Sequence, residues 1–350
     1  MAPYALASLA VPQGMSLVSL SQNESLRPPS PHVAKAVERM SSHGAGYPDP
    51  DWSALRRAIA EAHSVPAHQI LCGAGSLDLI SALARVFAGP TASVLVPKHA
   101  YPFFCSVAQM VGAKCILAPE TGTTVDVDAL LHAVRPETAV VFVANPGNPT
   151  GTRLPKSELL RLRAGLPERT LLVIDEAYGE FADHLGEWCW DMVDRGGTVV
   201  LRSFSKAYAL AGFRVGWGLF PPEIGADLRK VMNPNNLAAI SQAAAIAAVE
   251  DQPYMRETCQ LTATLRDTVL GRLRAAGFDV GPSLTNFLLI RFTDAQQAQA
   301  ADAALLASGI VLRAQAGAGL PSCLRMTIGT ETECRKAVDT LIHWKRTNTP

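Results

Sequence analysis

The sequence predicts an α/β protein, with a large lobe built on a mostly parallel sheet between helices and a smaller α+β lobe after it. Three observations carry this. Between Asp51 and Phe220 short apolar, β-branched runs alternate with helical patterns. Those runs are hydrophobic throughout rather than alternating, as strands covered by helices on both faces must be. After Pro221 the alternation stops and long helices with a few short strands take over. A length of 350 residues, 48% hydrophobic and 18% charged, exceeds what one minimal core needs and excludes a disordered chain.

The elements follow in order. The first forty residues, rich in Pro and Ser at Pro28-Pro29-Ser30-Pro31, do not fit the alternation and are expected to cross to the small lobe. Helical patterns cover Ser53–Ala62, Leu77–Phe87, Phe103–Val111, Val127–Val134 and Lys156–Arg163, and the strands between them are Ser93–Val96, Ala139–Ala144, Leu171–Ile174, Thr198–Leu201 and Val215–Phe220. Ala238–Val249 and Tyr254–Ala276 read as helices, the second closed by Gly277. Strands at Phe287–Arg291, Ile310–Leu312 and Leu324–Ile328 and a helix over Glu331–His343 complete the small lobe. The expected division is a crossing segment 1–40, a large lobe 41–250 and a small lobe 251–350.

Composition removes several function classes. Lys+Arg 31 against Asp+Glu 31 leaves no net charge, where a nucleic-acid binder shows a basic surplus. The seven cysteines show no Cys-x-x-Cys spacing and read as free thiols in a reducing compartment, and the eight histidines lack metal-ligand spacing, so no metal is expected. The first ten residues lack the basic and apolar regions of a signal peptide, and no window approaches 18 uninterrupted apolar residues. A cytoplasmic protein is expected.

In a parallel sheet of this kind ligands sit beyond the carboxyl ends of the strands. After Thr198–Leu201 comes Arg202-Ser203-Phe204-Ser205-Lys206. Desolvation at such a place lowers a lysine's pKa and makes it the nucleophile that a Schiff base requires, while the hydroxyls at 203 and 205 with Arg214 suit a phosphate. The competing reading is a surface lysine in a Ser-rich loop. After Leu171–Ile174 comes Asp175-Glu176-Ala177-Tyr178, where a buried acid needs a cation such as a protonated pyridine nitrogen, or else is a helix cap. After Ala139–Ala144 comes Asn145-Pro146-Gly147-Asn148-Pro149-Thr150-Gly151, a rigid loop that presents an amide at a set angle. Gly73-Ala74-Gly75-Ser76 precedes a helix and offers free N–H groups to an anion, a weak signal alone. An amine, an acid, an amide and a phosphate cradle at one sheet edge are the equipment of a pyridoxal phosphate enzyme.

Taken together, Ser203–Gly216, Asp175–Phe181 and Asn145–Gly151, with Tyr47-Pro48-Asp49 and Leu324–Gly329, resemble the fold-type I aminotransferases, and among them the histidinol-phosphate aminotransferase family. The resemblance spans nearly the whole chain and implies a mostly parallel seven-stranded sheet and pyridoxal 5′-phosphate as cofactor. It implies that Lys206 holds the cofactor and shuttles the proton between Cα and C4′, that Asp175 keeps the pyridine nitrogen protonated, and that Asn148 and Tyr178 bond the phenolic oxygen. Gly75, Ser76, Leu77, Ser203, Ser205 and Arg214 would hold the phosphate, and Phe104 would stack on the ring, with Tyr101 a second candidate. Tyr47 would reach the phosphate of a neighbouring subunit, which implies a homodimer with shared sites. Arg325 and Arg313 are the candidates for the substrate's acidic group, and Arg27 for an acidic tail. The family's Asn-Glu-Asn-Pro segment, which closes over substrate, here reads Asn23-Glu24-Ser25-Leu26-Arg27. The expected activity is ping-pong amino transfer between an amino acid or amino phosphate and a 2-oxo acid. The alternatives are a decarboxylase acting on a substrate such as threonine phosphate, a cofactor-binding regulator, for which 350 residues leave no DNA-binding segment, and a nucleotide-binding Rossmann enzyme, whose glycine pattern fails after Gly75.

Overall fold

The computed structural model describes residues 16–348. The ten N-terminal residues examined for a signal peptide lie outside the described residues. In chain order the elements are β1 (Val18–Ser19), α1 (Pro31–Met40), α2 (Ser53–His63), β2 (Ile70–Gly73), α3 (Ser76–Phe87), β3 (Ser93–Pro97), α4 (Phe103–Met110), β4 (Lys114–Ala118), the small hairpin β5 (Glu120–Thr121) and β6 (Thr124–Val125), α5 (Val127–Ala133), β7 (Thr138–Ala144), α6 (Lys156–Gly165), β8 (Leu171–Asp175), α7 (Trp190–Asp194), β9 (Thr198–Ser203) and β10 (Gly216–Leu219). There follow α8 (Pro222–Val231), α9 (Ala239–Glu250), α10 (Gln252–Ala275), β11 (Asp279–Val280), β12 (Phe287–Arg291), α11 (Ala295–Ala307), β13 (Ile310–Val311), β14 (Arg313–Gln315), β15 (Leu320–Thr327) and α12 (Glu331–Asn348).

The central sheet has seven strands in the order β2-β10-β9-β8-β7-β3-β4, as the resemblance implies. The pairs β9–β8–β7–β3–β4 are parallel, and β10 runs antiparallel to both neighbours. β9 and β10 are joined by residues 204–215, which hold one 3₁₀ turn at Ala211–Phe213 and no α-helix of the kind that usually carries a parallel crossover. The apolar runs anticipate five strands, and the structure adds β2 and β4. At the sheet edge, β4 leaves Lys114 and Leu117 exposed and so lacks the continuous apolar signature.

The small lobe is a four-stranded antiparallel sheet, β11-β12-β15-β14, with its own hydrophobic core. The N-terminal segment does cross to it, since β1 pairs in parallel with β13 and Leu20 is buried in that core. It then returns: Val33 and Ala36 of α1 pack into the large-lobe core. Helix α10 bridges the two cores, with Met255 in the large one and Val269 and Leu273 in the small one. Its first turn is capped by the Asp251 carboxylate, which accepts from the Tyr254 N–H, and Gly277 follows its end at φ +78°, the left-handed conformation expected of it.

One reading is corrected. Cys105 and Cys115 are not free thiols; they form a disulfide between α4 and β4, with Cα atoms 5.5 Å apart. The tight turn through Gly112 folds the helix back beside the strand, a juxtaposition that spacing along the chain does not reveal. The other five cysteines are free thiols. Among the described residues no helix is long and apolar enough to cross a membrane.

Candidate active site

A cavity of about 170 Å³ opens at the carboxyl edge of the large sheet. Four strand ends feed it. Ala144 ends β7 and leads to Asn148; Asp175 ends β8 and leads to Ala177 and Tyr178; Ser203 ends β9 and leads to Ser205 and Lys206; β2 leads through Gly75 to Ser76 and Leu77 at the start of α3. Arg214 enters just before antiparallel β10, whose beginning lies at the same edge, and Tyr101 comes from the loop after β3. The small lobe contributes Arg325 from β15, and the crossing segment contributes Gln22 and Asn23.

One end of the cavity is an anion cup. Ser76, Ser203 and Ser205 line it, and Arg214 donates to Ser205 Oγ at 3.4 Å and to the Ala211 carbonyl at 3.0 Å. No side chain caps the N-terminus of α3, so its first N–H groups face the cup. Two glycines make the close packing possible. A Cβ at Gly75, which sits at φ +87°, would lie 2.6 Å from Arg214 Nη2, and one at Gly216 would lie 2.2 Å from the Ser76 nitrogen.

The middle of the cavity holds a buried carboxyl and a half-buried amine. Burial pushes the Asp175 carboxyl up to about 7, against the lowering effect of the hydrogen bond its Oδ1 accepts from the Ala177 N–H at 3.1 Å. Burial lowers the Lys206 amine to about 7, helped by the positive charges of Arg325 and Arg214 and opposed by Glu24. Lys206 Nζ donates to the Gln22 carbonyl at 3.2 Å. At the far end Arg325 donates to Asn148 Oδ1 at 2.6 Å and to the Ser21 carbonyl at 2.8 Å. Both Asn-Pro bonds of the Asn148 loop are cis.

The residues present fit pyridoxal phosphate. The cup supplies hydroxyl, guanidinium and backbone donors for a dianion, the buried carboxyl of Asp175 suits a ring-nitrogen cation, and Lys206 offers an amine whose lowered pKa suits condensation with an aldehyde.

Residues 16–341 match the family model for aminotransferase class I and II. The chain belongs to the class I and II aminotransferases. It is 42% identical to a histidinol-phosphate aminotransferase of Paramagnetospirillum magneticum, over 97% of this chain and 94% of that one. With a histidinol-phosphate aminotransferase of Ruegeria pomeroyi the identity is 38%, over 94% and 91% of the two chains. Among solved structures, the histidinol-phosphate aminotransferase of Sinorhizobium meliloti in complex with pyridoxal-5′-phosphate superposes with a TM-score of 0.91 at 30% identity, covering 95% of this chain and 92% of that one. The protein is a pyridoxal phosphate-dependent aminotransferase, and the decarboxylase alternative is not favoured.

Several candidate residues sit elsewhere than the resemblance implies. Phe104 does not reach the cavity: it is fully buried and stacked on Phe142 at 4.9 Å, because the second position of α4 faces the sheet. Tyr101 lines the cavity instead and meets the Phe104 ring edge-on at 6.0 Å. Arg27 is also elsewhere, bound to Glu257 at 2.7 Å and lying over the Tyr254 ring at 4.0 Å. Arg313 is paired with Arg325 across β14 and β15 and is not among the lining residues. Tyr47 is 90% exposed and does not line the cavity of its own chain. Gln22 was missed, since it acts through its backbone carbonyl, which leaves no trace in residue type.

Proposed function

We propose that this aminotransferase moves an amino group from a phosphate-bearing amine of the histidinol phosphate kind to a 2-oxo acid, in a cytoplasmic homodimer with shared sites. The observation that carries this reading is a lysine and a carboxyl group, both poised near neutrality, between an anion cup and a second arginine. The names of its relatives at 38–42% identity supply the donor.

When bound, pyridoxal phosphate supplies an aldehyde that condenses with amines and a ring that accepts the electron pair of the broken Cα–H bond. The chain's own residues do the rest. Ser76, Ser203, Ser205 and Arg214, with the backbone of Gly75, Ser76 and Leu77, hold the phosphate. Asp175 holds a proton on the ring nitrogen, because a buried carboxylate is stable only beside a cation. Tyr178 and Asn148 bind the phenolic oxygen, and Tyr101 covers one face of the ring. Lys206, its amine lowered to about 7, would hold the cofactor through its aldehyde carbon and would carry the proton between the substrate Cα and C4′. Arg325 binds the substrate's acidic group, and its guanidinium suits a carboxylate or a phosphate equally. The exposed Tyr47 ring is available to a neighbouring subunit's phosphate.

The test is a single half-turnover with a panel of donors that includes histidinol phosphate and aromatic amino acids, followed by the loss of the holoenzyme's visible band. Histidinol phosphate should react fastest and give a keto product without carbon dioxide. Failure of every amine to bleach the band, or release of carbon dioxide, overturns the proposal.

A further inference from the structure

Asn23 belongs to the crossing segment, one residue from the carbonyl that holds Lys206. It is 1% exposed and sits at φ +54°, a left-handed conformation that asparagine tolerates better than most residues. Both lobes fix it. The Asn286 amide donates to the carbonyls of Asn23 at 3.0 Å and Glu24 at 3.1 Å. Thr327, two residues beyond Arg325 on β15, accepts from the Asn23 N–H at 2.9 Å through Oγ1. That hydroxyl has one proton, and the Asn23 Oδ1 lies 3.2 Å from it as acceptor.

The structure gives the Asn23 amide one orientation. With Oδ1 on the Thr327 hydroxyl, the NH₂ end points to Tyr178, and Nδ2 donates to the phenol oxygen at 2.8 Å. A phenol that accepts here keeps its own O–H as a donor, and donation into its oxygen strengthens that O–H as a donor in turn. The chain of bonds therefore runs from small-lobe strand β15, through the crossing segment, to the hydroxyl of a cavity residue.

We propose that Asn23 is a positioning residue for the Tyr178 hydroxyl, with its amide orientation set by Thr327, rather than a residue that touches substrate. It directs the phenol's proton to the phenolic oxygen of the cofactor and makes the electronic state of the cofactor depend on the docking of the crossing segment. This rests on the reading of Tyr178 given above. A donor on the phenolic oxygen withdraws charge that would otherwise hold the proton of the lysine–cofactor linkage. Loss of that donor raises the pH at which the linkage titrates.

The experiment is a spectrophotometric pH titration of the holoenzyme's visible band, without substrate. Asn23→Asp keeps the shape and reverses the polarity, because a carboxylate cannot donate to Tyr178 and instead draws the phenol's proton towards itself. The midpoint should rise by about 0.5–1 pH unit, the size of one lost hydrogen bond. Thr327→Val should shift it in the same direction and Thr327→Ser should restore it. Tyr178→Phe separates the two claims, and the double variant with Asn23→Asp should shift no further than Tyr178→Phe alone. If Tyr178→Phe leaves the midpoint unchanged, the reading of Tyr178 fails. If Tyr178→Phe shifts it while Asn23→Asp and Thr327→Val do not, the role of Asn23 is overturned. Full additivity in the double variant also overturns it.

Discussion

Two groups of buried charge lie back to back where β8 and β9 end, and they are built in opposite ways. Successive strand residues point to opposite faces, so Asp175 and Ser203 line the cavity while Glu176 and Arg202 turn away from it. On the far side one arginine gathers three acids. Arg202, fully enclosed, meets Glu176 at 2.9 Å, Glu180 at 3.3 Å and Asp183 at 2.8 Å, and Trp190 stacks on its guanidinium at 4.9 Å. Gly179 leaves room for it, since a Cβ there would lie 2.4 Å from Arg202 Cζ. On the cavity side Asp175 is buried and Lys206 half-buried, and the pKa values of both are displaced to about 7. The matched cluster locks the chain; the unmatched pair is held ready for a charge that arrives with the cofactor. Burial alone does not mark a reactive site, but burial that faces an open cavity does.

The largest effect should separate the two clusters outright. Lys206→Ala should lower turnover at least about 10³-fold and abolish the visible band, while leaving the unfolding midpoint of the cofactor-free chain unchanged or higher, because a half-buried amine is removed. Arg202→Ala should do the reverse in kind. It strands the Glu176 and Asp183 carboxylates in the interior and should cost about 3–5 kcal/mol in urea denaturation. A Lys206→Ala protein that stays yellow and active, or an Arg202→Ala protein as stable as the parent, breaks the comparison.

Next in size is Asp175→Asn, which keeps the shape and removes the charge facing the cavity. The half-turnover rate should fall about 10²–10³-fold, the usual scale for losing one preorganised electrostatic partner. Glu176→Gln, one residue away but on the matched side, should change that rate less than about 10-fold and act on stability instead.

The pKa values make a third difference visible without cofactor. Asp175 is raised from 3.8 to about 7, so between those values the folded state binds more protons than the unfolded one and stability falls as pH rises. Glu180, raised to about 7 by burial, adds to the same fall. Lys206 is lowered from 10.5 to about 7, so above 7 the unfolded state binds more protons and stability rises again. The cofactor-free chain should therefore show a stability minimum near pH 7 across a series of urea titrations. Asp175→Asn should flatten the acid limb and Lys206→Ala the alkaline one. A smooth maximum near neutrality would show that the pair is compensated after all.

The sequence shows the cavity side far better than the matched side. Lys206, Asp175 and Asn148 each follow a continuous apolar run, and the rule that ligands gather beyond strand ends brings them together before any contact is known. Arg202 carries no such signal. Its partners at 176, 180 and 183 are fixed by the path of the chain after β8, and only packing shows that three acids surround one guanidinium. The exchange of Phe104 for Tyr101 has a similar origin. Two aromatic residues three apart at a helix start are equivalent on paper, and the phase of α4 decides which ring joins the core. The edge strand β4 and the short β2 were hidden because one is half exposed and the other offers only three apolar residues, Ile70-Leu71-Cys72, before a glycine.

The smallest effect contrasts two arginines that the sequence offers for one task. Arg325 is 8% exposed in the cavity wall, whereas Arg27 is held on the outside by Glu257, whose side chain is 60% exposed. An ion pair in such a setting is worth under about 1 kcal/mol, and the Tyr254 ring beneath the guanidinium adds a comparable amount at most. Arg27→Ala should therefore leave KM for the amino donor within about two-fold of the parent and shift the unfolding midpoint only slightly. Arg325→Lys, which keeps the charge and loses the planar fork, should raise the same KM about 10-fold or more. If Arg27→Ala raised KM as much as Arg325→Lys, the crossing segment would have to swing Arg27 off Tyr254 and into the cavity when substrate binds, and the substrate's acidic end would then be read by both arginines.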